Sequence, residues 1–192
     1  MARLITRLTP FAGILVFLVV WEVGVWATKA PAYLIPAPTV IFQTFVAEFP
    51  KLAFHGWVTL YEMLLGYLLA VVVAIPLAIA ITSSERFDRF SMPTLLFFQV
   101  VPKVAVAPLF LVWFGVGALP KVLVAFLISF FPIVIDAAVG LRSMSAEMRD
   151  LARSMGATRM QVFARFRLPT SLPYLFSGLK VAATLAVAGP VV

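Results

Sequence analysis

Residues 145–169 read SAEMRDLARSMGATRMQVFARFRLP, and hydrophobic runs flank them on both sides. Met148, Leu151, Ala152 and Met155 recur at the spacing of one apolar helical stripe, while Arg149 and Arg153, four apart, share a different face. Gly156 follows where a left-handed residue closes a helix at little steric cost. Thr158 then opens "TRMQ", with Gln161 three residues on, which is the capping-box arrangement for a second helix. Met160, Phe163 and Phe166 are its apolar residues. Leu168-Pro169 is expected to end it, because proline disfavours helical geometry in the residue before it. The segment therefore reads as two short helices joined at Gly156, with an apolar stripe that needs a partner to cover it.

The rest of the chain is too oily for a soluble domain. Of 192 residues, 63% are apolar and 12% charged, with a mean hydropathy of +1.08. Soluble domains average about 45–50% apolar and about 25% charged. The absence of cysteine removes thiol chemistry, and one histidine, His55, leaves almost nothing for a metal site. The net charge of +7 belongs, in a membrane protein, with the cytoplasmic side rather than with nucleic acid.

Five runs approach the roughly 20 residues that a bilayer demands: about 11–28, 57–82, 92–114, 122–141 and 174–192. Glu22 interrupts the first, and no A-x-A site follows it, so it reads as a retained helix rather than a cleaved signal peptide. With the N-terminus inside, the internal segments hold Arg3, Arg7, Arg86, Arg89 and the six arginines of 142–167, ten in all. The external segments hold Lys29, Lys51 and Lys121, three in all. That asymmetry predicts a multi-pass membrane protein with residues 145–169 in the cytoplasm.

The first external connection, 29–56, opens on an extended, proline-rich "PAYLIPAPT". Thr39 is expected to cap a short helix, with Ile41, Phe42, Phe45, Val46 and Phe49 on one stripe. Lying in the membrane interface and packing over the bundle are both open to that helix. Within the spans, Glu22, Glu62, Lys103 and Asp136 are expensive in lipid and should face protein or water. For Glu22, Lys103 and Asp136 a place on a translocation path stands beside a purely structural one. A Glu22–Lys103 pair is geometrically possible, because their spans run in the same direction. Pro102 and Pro108 either break the third span, freeing backbone groups to line a pathway, or only kink it.

The opening segment resembles the "EAA" loop of ABC-importer permeases, E-A-A, three residues, G, nine residues, I, any residue, L-P. Asp150-Leu151-Ala152 stands at E-A-A, Gly156 at the glycine, Phe166 at the isoleucine, and Leu168-Pro169 closes the pattern. Trp21-Glu22, "LIPAPTVIF", "PKVAVAPLFLVWFGVG" (102–117) and "FFPIVIDAAVGLRSM" (130–144) look like the nitrate, sulfonate, taurine and thiamine-precursor branch of that family. The resemblance implies an all-α, polytopic transmembrane helical bundle of the MetI-like permease fold, forming one domain over 1–192. It implies a paired second permease copy, an external substrate-binding protein and a cytoplasmic ABC ATPase. That ATPase would dock on Arg149, Asp150, Leu151, Ala152, Arg153, Met155, Gly156, Ala157, Phe166, Leu168 and Pro169. No cofactor is expected on this chain, and ATP would sit on the partner. The family pattern normally continues past the fifth span, so a chain truncated in or after that span is expected.

Three rival readings use the same residues. "LARSMGATRMQVFARF" resembles a DNA-reading helix-turn-helix, but spans on both sides would hold it at the bilayer, where phosphate-dense DNA could scarcely approach. A secondary transporter or channel would use the intramembrane charges as an ion relay. An enzyme finds little support: the sequence has no H-E-x-x-H and no G-x-x-x-x-G-K-[ST]. If transport is ATP-driven, another chain must hydrolyse the ATP.

Overall fold

The computed structural model describes residues 2–29 and 31–191. Ala30 and Val192, which fall in the predicted external connection and fifth span, lie outside the described residues. The described chain is helical and without strands. It resolves into two compact units, one up to Gly56 and one from Trp57 onward.

In the first unit, α1 covers Ala2–Thr28 and α2 opens at Pro38. Pro38 suits a first helical turn because its missing N–H would have no partner there. Thr39 does not act as the cap that its type suggests. Its backbone N–H and its hydroxyl both donate to the Glu22 carboxylate, at 3.0 and 2.7 Å. Glu22 is thus the anionic cap at the start of α2, where the helix dipole favours negative charge. The short separate helix expected after Thr39 is not formed, since α2 runs from Pro38 to Ser83 without a break. Pro50 lies inside it, and no glycine or asparagine stands beside Pro50 to turn the chain. Ile41, Phe42, Phe45, Val46 and Phe49 remain exposed along it.

The second unit is organised around α5 (Ala118–Arg142), which carries most of the buried side chains. Two stripes of small residues let its neighbours approach. On α2 the stripe is Gly66, Ala70, Ala74 and Ala78, all buried at intervals of four. On α8 (Leu168–Ala186) it is Gly178, Ala182 and Ala186. Close backbone approach of this kind replaces the hydrophobic drive that lipid removes. A Cβ placed on Gly66 would lie 2.6 Å from both Ala125 Cβ and the Val122 carbonyl oxygen. Ser129 donates to the Ala182 carbonyl at 3.4 Å, and Tyr67 to the Leu179 carbonyl at 3.3 Å. Both are polar contacts between helices in an otherwise apolar interior.

The predicted span over 92–114 is not one helix. Ser84 caps α3 (Glu85–Val100), and Val101 turns extended at φ −62° and ψ 128°. Pro102 explains the break, because its ring disfavours helical geometry at Val101 and it has no N–H to continue the ladder. A 3₁₀ turn, Lys103–Val106, leads into α4, Ala107–Phe114. Pro108 falls in the first turn of α4, where the missing donor costs nothing. Three described helical runs are long and apolar enough to cross a bilayer: Pro38–Ser83, Ala118–Arg142 and Arg159–Pro190. Ala12–Thr28 is a shorter apolar helix. Large apolar side chains such as Leu68, Val72, Phe97 and Val112 stay exposed, as a lipid-facing surface requires.

Candidate functional site

Residues 145–169 form the helical pair that their pattern predicts. Ser145 caps α6 (Ala146–Ser154), its hydroxyl oxygen accepting from the Met148 N–H at 3.2 Å. Glu147 lies in the first turn, and its own backbone amide and Ser145 hold its carboxyl below the usual carboxylate range. Gly156, at φ +68°, ends the helix. Its N–H donates to the Arg153 carbonyl and that of Ala157 to the Ala152 carbonyl, both at 3.0 Å, the paired bonds of a Schellman closure. Thr158 and Gln161 make the reciprocal capping box that opens α7, Arg159–Val162.

The second helix does not stop at Leu168-Pro169 as expected. Phe163–Arg167 widens to π-helical geometry, the Leu168 N–H donates to the Phe163 carbonyl, and α8 continues from Leu168. An α-helical Pro169 would lack the bond to Arg165 and crowd its carbonyl. The wider turn accommodates the ring while the helix proceeds. The helix that carries the predicted fifth span is thus continuous with this segment rather than separated from it at Leu168-Pro169.

The stripe read from the sequence is split by the fold. Ala152 is buried, whereas Met148, Leu151, Met155 and Met160 are exposed, Met155 by 74%. Leu151 and Met155 lie about 200° around α6 from Arg149 and Arg153 respectively, so the two pairs face opposite ways. Phe163 and Phe166 are half-buried. Arg167, at the unspecified position of the motif, drew no notice in the sequence. Yet its Nε donates to the Leu141 carbonyl at 3.0 Å and its Nη2 to the Thr82 carbonyl at 3.2 Å. Only its place between Phe166 and Leu168 could have marked it.

The intramembrane charges have separate surroundings. Glu22 caps α2 as described. Lys103 Nζ donates to the Gln99 carbonyl and lies 4.9 Å from the centre of the Phe131 ring, a cation–π arrangement. Asp136 is half-buried on α5 against Gly178 of α8, where an added Cβ would come within 2.8 Å of the Asp136 Cβ. Glu62 is 2% exposed and pairs with Lys121 at 3.5 Å. Pro102 and Pro108 bracket the 3₁₀ turn that carries Lys103.

The second unit is thus an apolar helical unit with a capped, arginine-rich helical pair between α5 and α8. The chain belongs to the family of binding-protein-dependent transport system inner membrane components, which it matches over residues 66–192. It is 35% identical to the formylaminopyrimidine transport permease protein ThiX of Halalkalibacterium halodurans, over all of this chain and 77% of that one. It is 36% identical to the riboflavin transport system permease protein RibX of Chloroflexus aurantiacus, over 93% of this chain and 68% of that one. Identity to the taurine transport system permease protein TauC of Escherichia coli is 29%, over 84% and 61%. The protein is accordingly a permease component of an ABC importer in a bacterial inner membrane, a class that works with an ATPase and a substrate-binding protein.

Proposed function

We propose that this chain carries a small solute across the membrane by alternating access, with its N-terminus in the cytoplasm and ATP hydrolysed by a separate ATPase. The chain itself binds no cofactor and performs no catalysis. The ATPase docks on residues 145–169, a second copy of the permease completes the pathway, and an external binding protein delivers the substrate. The observation that carries this reading is the exposed Leu151–Met155 face of α6, within a segment that keeps the Asp150, Gly156 and Leu168-Pro169 spacing. A helix face of this kind suits a groove on a soluble partner. Gly156 and the widened turn before Pro169 set how the docked helix meets α8, so closure of the ATPase would be passed on as rigid-body motion. For the substrate, the thiamine-precursor class comes first, because the formylaminopyrimidine permease matches this chain over its whole length. Sulfonates such as taurine come second.

The test is uptake into proteoliposomes holding this permease, its ATPase and its binding protein, with labelled formylaminopyrimidine and taurine offered separately. Uptake of one of them that requires ATP and the ATPase is expected. Uptake that persists when the ATPase is omitted would identify a secondary transporter or channel instead.

A further inference from the structure

The arginines of the cytoplasmic segment are not spread over a solvated face. Arg142, Arg149, Arg153, Arg159 and Arg167 line one cavity of about 970 Å³. It is walled by the ends of α2 and α5, the start of α3, the α6–α7 pair and the π-helical turn after it. Its acidic lining residues are Glu85 and Asp88, and both already have partners. Asp88 pairs with Arg142 at 2.6 Å, and Glu85 with Arg89 at 3.7 Å. Arg153 has only a distant, exposed contact with Asp150 at 4.0 Å. Among the described residues, Arg149, Arg159 and Arg167 have no carboxylate in salt-bridge range, and Arg142 and Arg149 lie close enough to repel the Arg167 guanidinium.

An uncompensated cluster of this size calls for an anion. Two features of the cavity say which kind. It is lined by the last residues of two membrane-length helices, Thr82-Ser83 on α2 and Leu141-Arg142 on α5, and a helix that spans a bilayer ends at its headgroups. Ile79, Leu141, Met144 and Phe163 also line it, so apolar side chains share the cavity with the guanidiniums. A headgroup phosphate with its glycerol and acyl stem presents the same combination of charge and apolar surface. Basic pockets at the cytoplasmic ends of membrane helices bind anionic lipid headgroups on this principle. An acidic surface of a protein partner is the less suitable occupant, because it offers no apolar stem to Ile79, Leu141, Met144 and Phe163, although Arg149, Arg153 and Ala157 of the docking segment also line the cavity.

We propose that the cavity between the ends of α2 and α5 and the α6–α7 pair binds the phosphate of an anionic phospholipid, held by Arg149, Arg159 and Arg167. The occupied site would brace the coupling segment against the membrane helices and make transport sensitive to anionic lipid content.

The experiment is native mass spectrometry of the full chain in detergent, titrated with phosphatidylglycerol, with phosphatidylcholine, and with inorganic phosphate. One phosphatidylglycerol should bind at least about tenfold more tightly than phosphatidylcholine, the effect of one to two juxtamembrane cations. Arg149→Gln with Arg159→Gln should weaken phosphatidylglycerol roughly 30-fold, for two such cations. Arg165→Gln, outside the cavity on the same segment, should leave it within about twofold. If the double variant does not fold, Arg159→Gln alone is read, with an expected loss of about fivefold. Equal binding of the two lipids, or undiminished phosphatidylglycerol binding in the variants, overturns the proposal. Inorganic phosphate binding as tightly as phosphatidylglycerol overturns the lipid as its source. Loss of ATPase capture in the double variant, with lipid preference intact, would assign the arginines to the protein partner and overturn it as well.

Discussion

Arg167 donates through Nε to the carbonyl oxygen of Leu141 at 3.0 Å, and through Nη2 to that of Thr82 at 3.2 Å. Both acceptors lie in the last turns of long helices, Leu141 on α5 and Thr82 on α2. Carbonyls there lack intrahelical donors and carry the negative end of the helix dipole. One planar guanidinium thus ties the π-helical stretch before Pro169 to the ends of two membrane helices. A push on the coupling segment would reach both through it.

Replacing Arg167 with Gln should lower stability by about 2 kcal/mol, within the range for losing charged hydrogen bonds. Lys should not restore it, because an ammonium cannot span both carbonyls as a fork does. Thermal unfolding in detergent measures the first effect. In the reconstituted importer, ATP hydrolysis should continue while solute moved per ATP falls. An unchanged ratio would remove Arg167 from the coupling path.

Gly156 sits at φ +68°, where a side chain costs roughly 1–2 kcal/mol. Open space surrounds the position, so local folding should survive a substitution there. Gly156→Asp should abolish ATP-driven uptake while membrane insertion, followed by protease accessibility, stays intact. Undiminished uptake would count strongly against docking through this segment.

Gly66 tests the membrane core. A methyl group there meets backbone at 2.6 Å on α5, which no rotamer change relieves. Gly66→Ala should destabilise by roughly 1–3 kcal/mol as overpacking. Adding Ala125→Gly should recover part of the loss, because one of the three obstructing atoms is the Ala125 Cβ. Unfolding midpoints of the native chain and the two variants decide it.

The pH response of α6 follows from Glu147. Its carboxyl is held below the ordinary range in the folded state, so its contribution is complete above the usual carboxylate value. That contribution is lost as pH falls through the lower, folded one. The protection of the Met148 amide relative to its intrinsic exchange rate should therefore fall at acid pH in the native chain, and less so in Glu147→Gln.

Local chemistry was legible in the residues themselves. The Thr158–Gln161 box, the Gly156 closure and the break at Pro102 each depend on contacts within a few positions, so type and spacing suffice to predict them. The same residues misled where a distant group intervened. Thr39 looked like a cap because its hydroxyl could serve one, but Glu22 takes both its hydroxyl and its N–H. Pro169 looked like a terminator, but the π-helical turn lets the helix run on into α8.

By itself, then, the sequence determined a helical membrane protein with a capped helical pair hinged at a glycine, because periodicity, caps and hydropathy act over short range. Only the tertiary structure decided which side of α6 stays free, where Arg167 is anchored, and that five arginines share one cavity. Those depend on which helix ends meet in space, and spacing along a chain says which residues share a face but not what lies across from it.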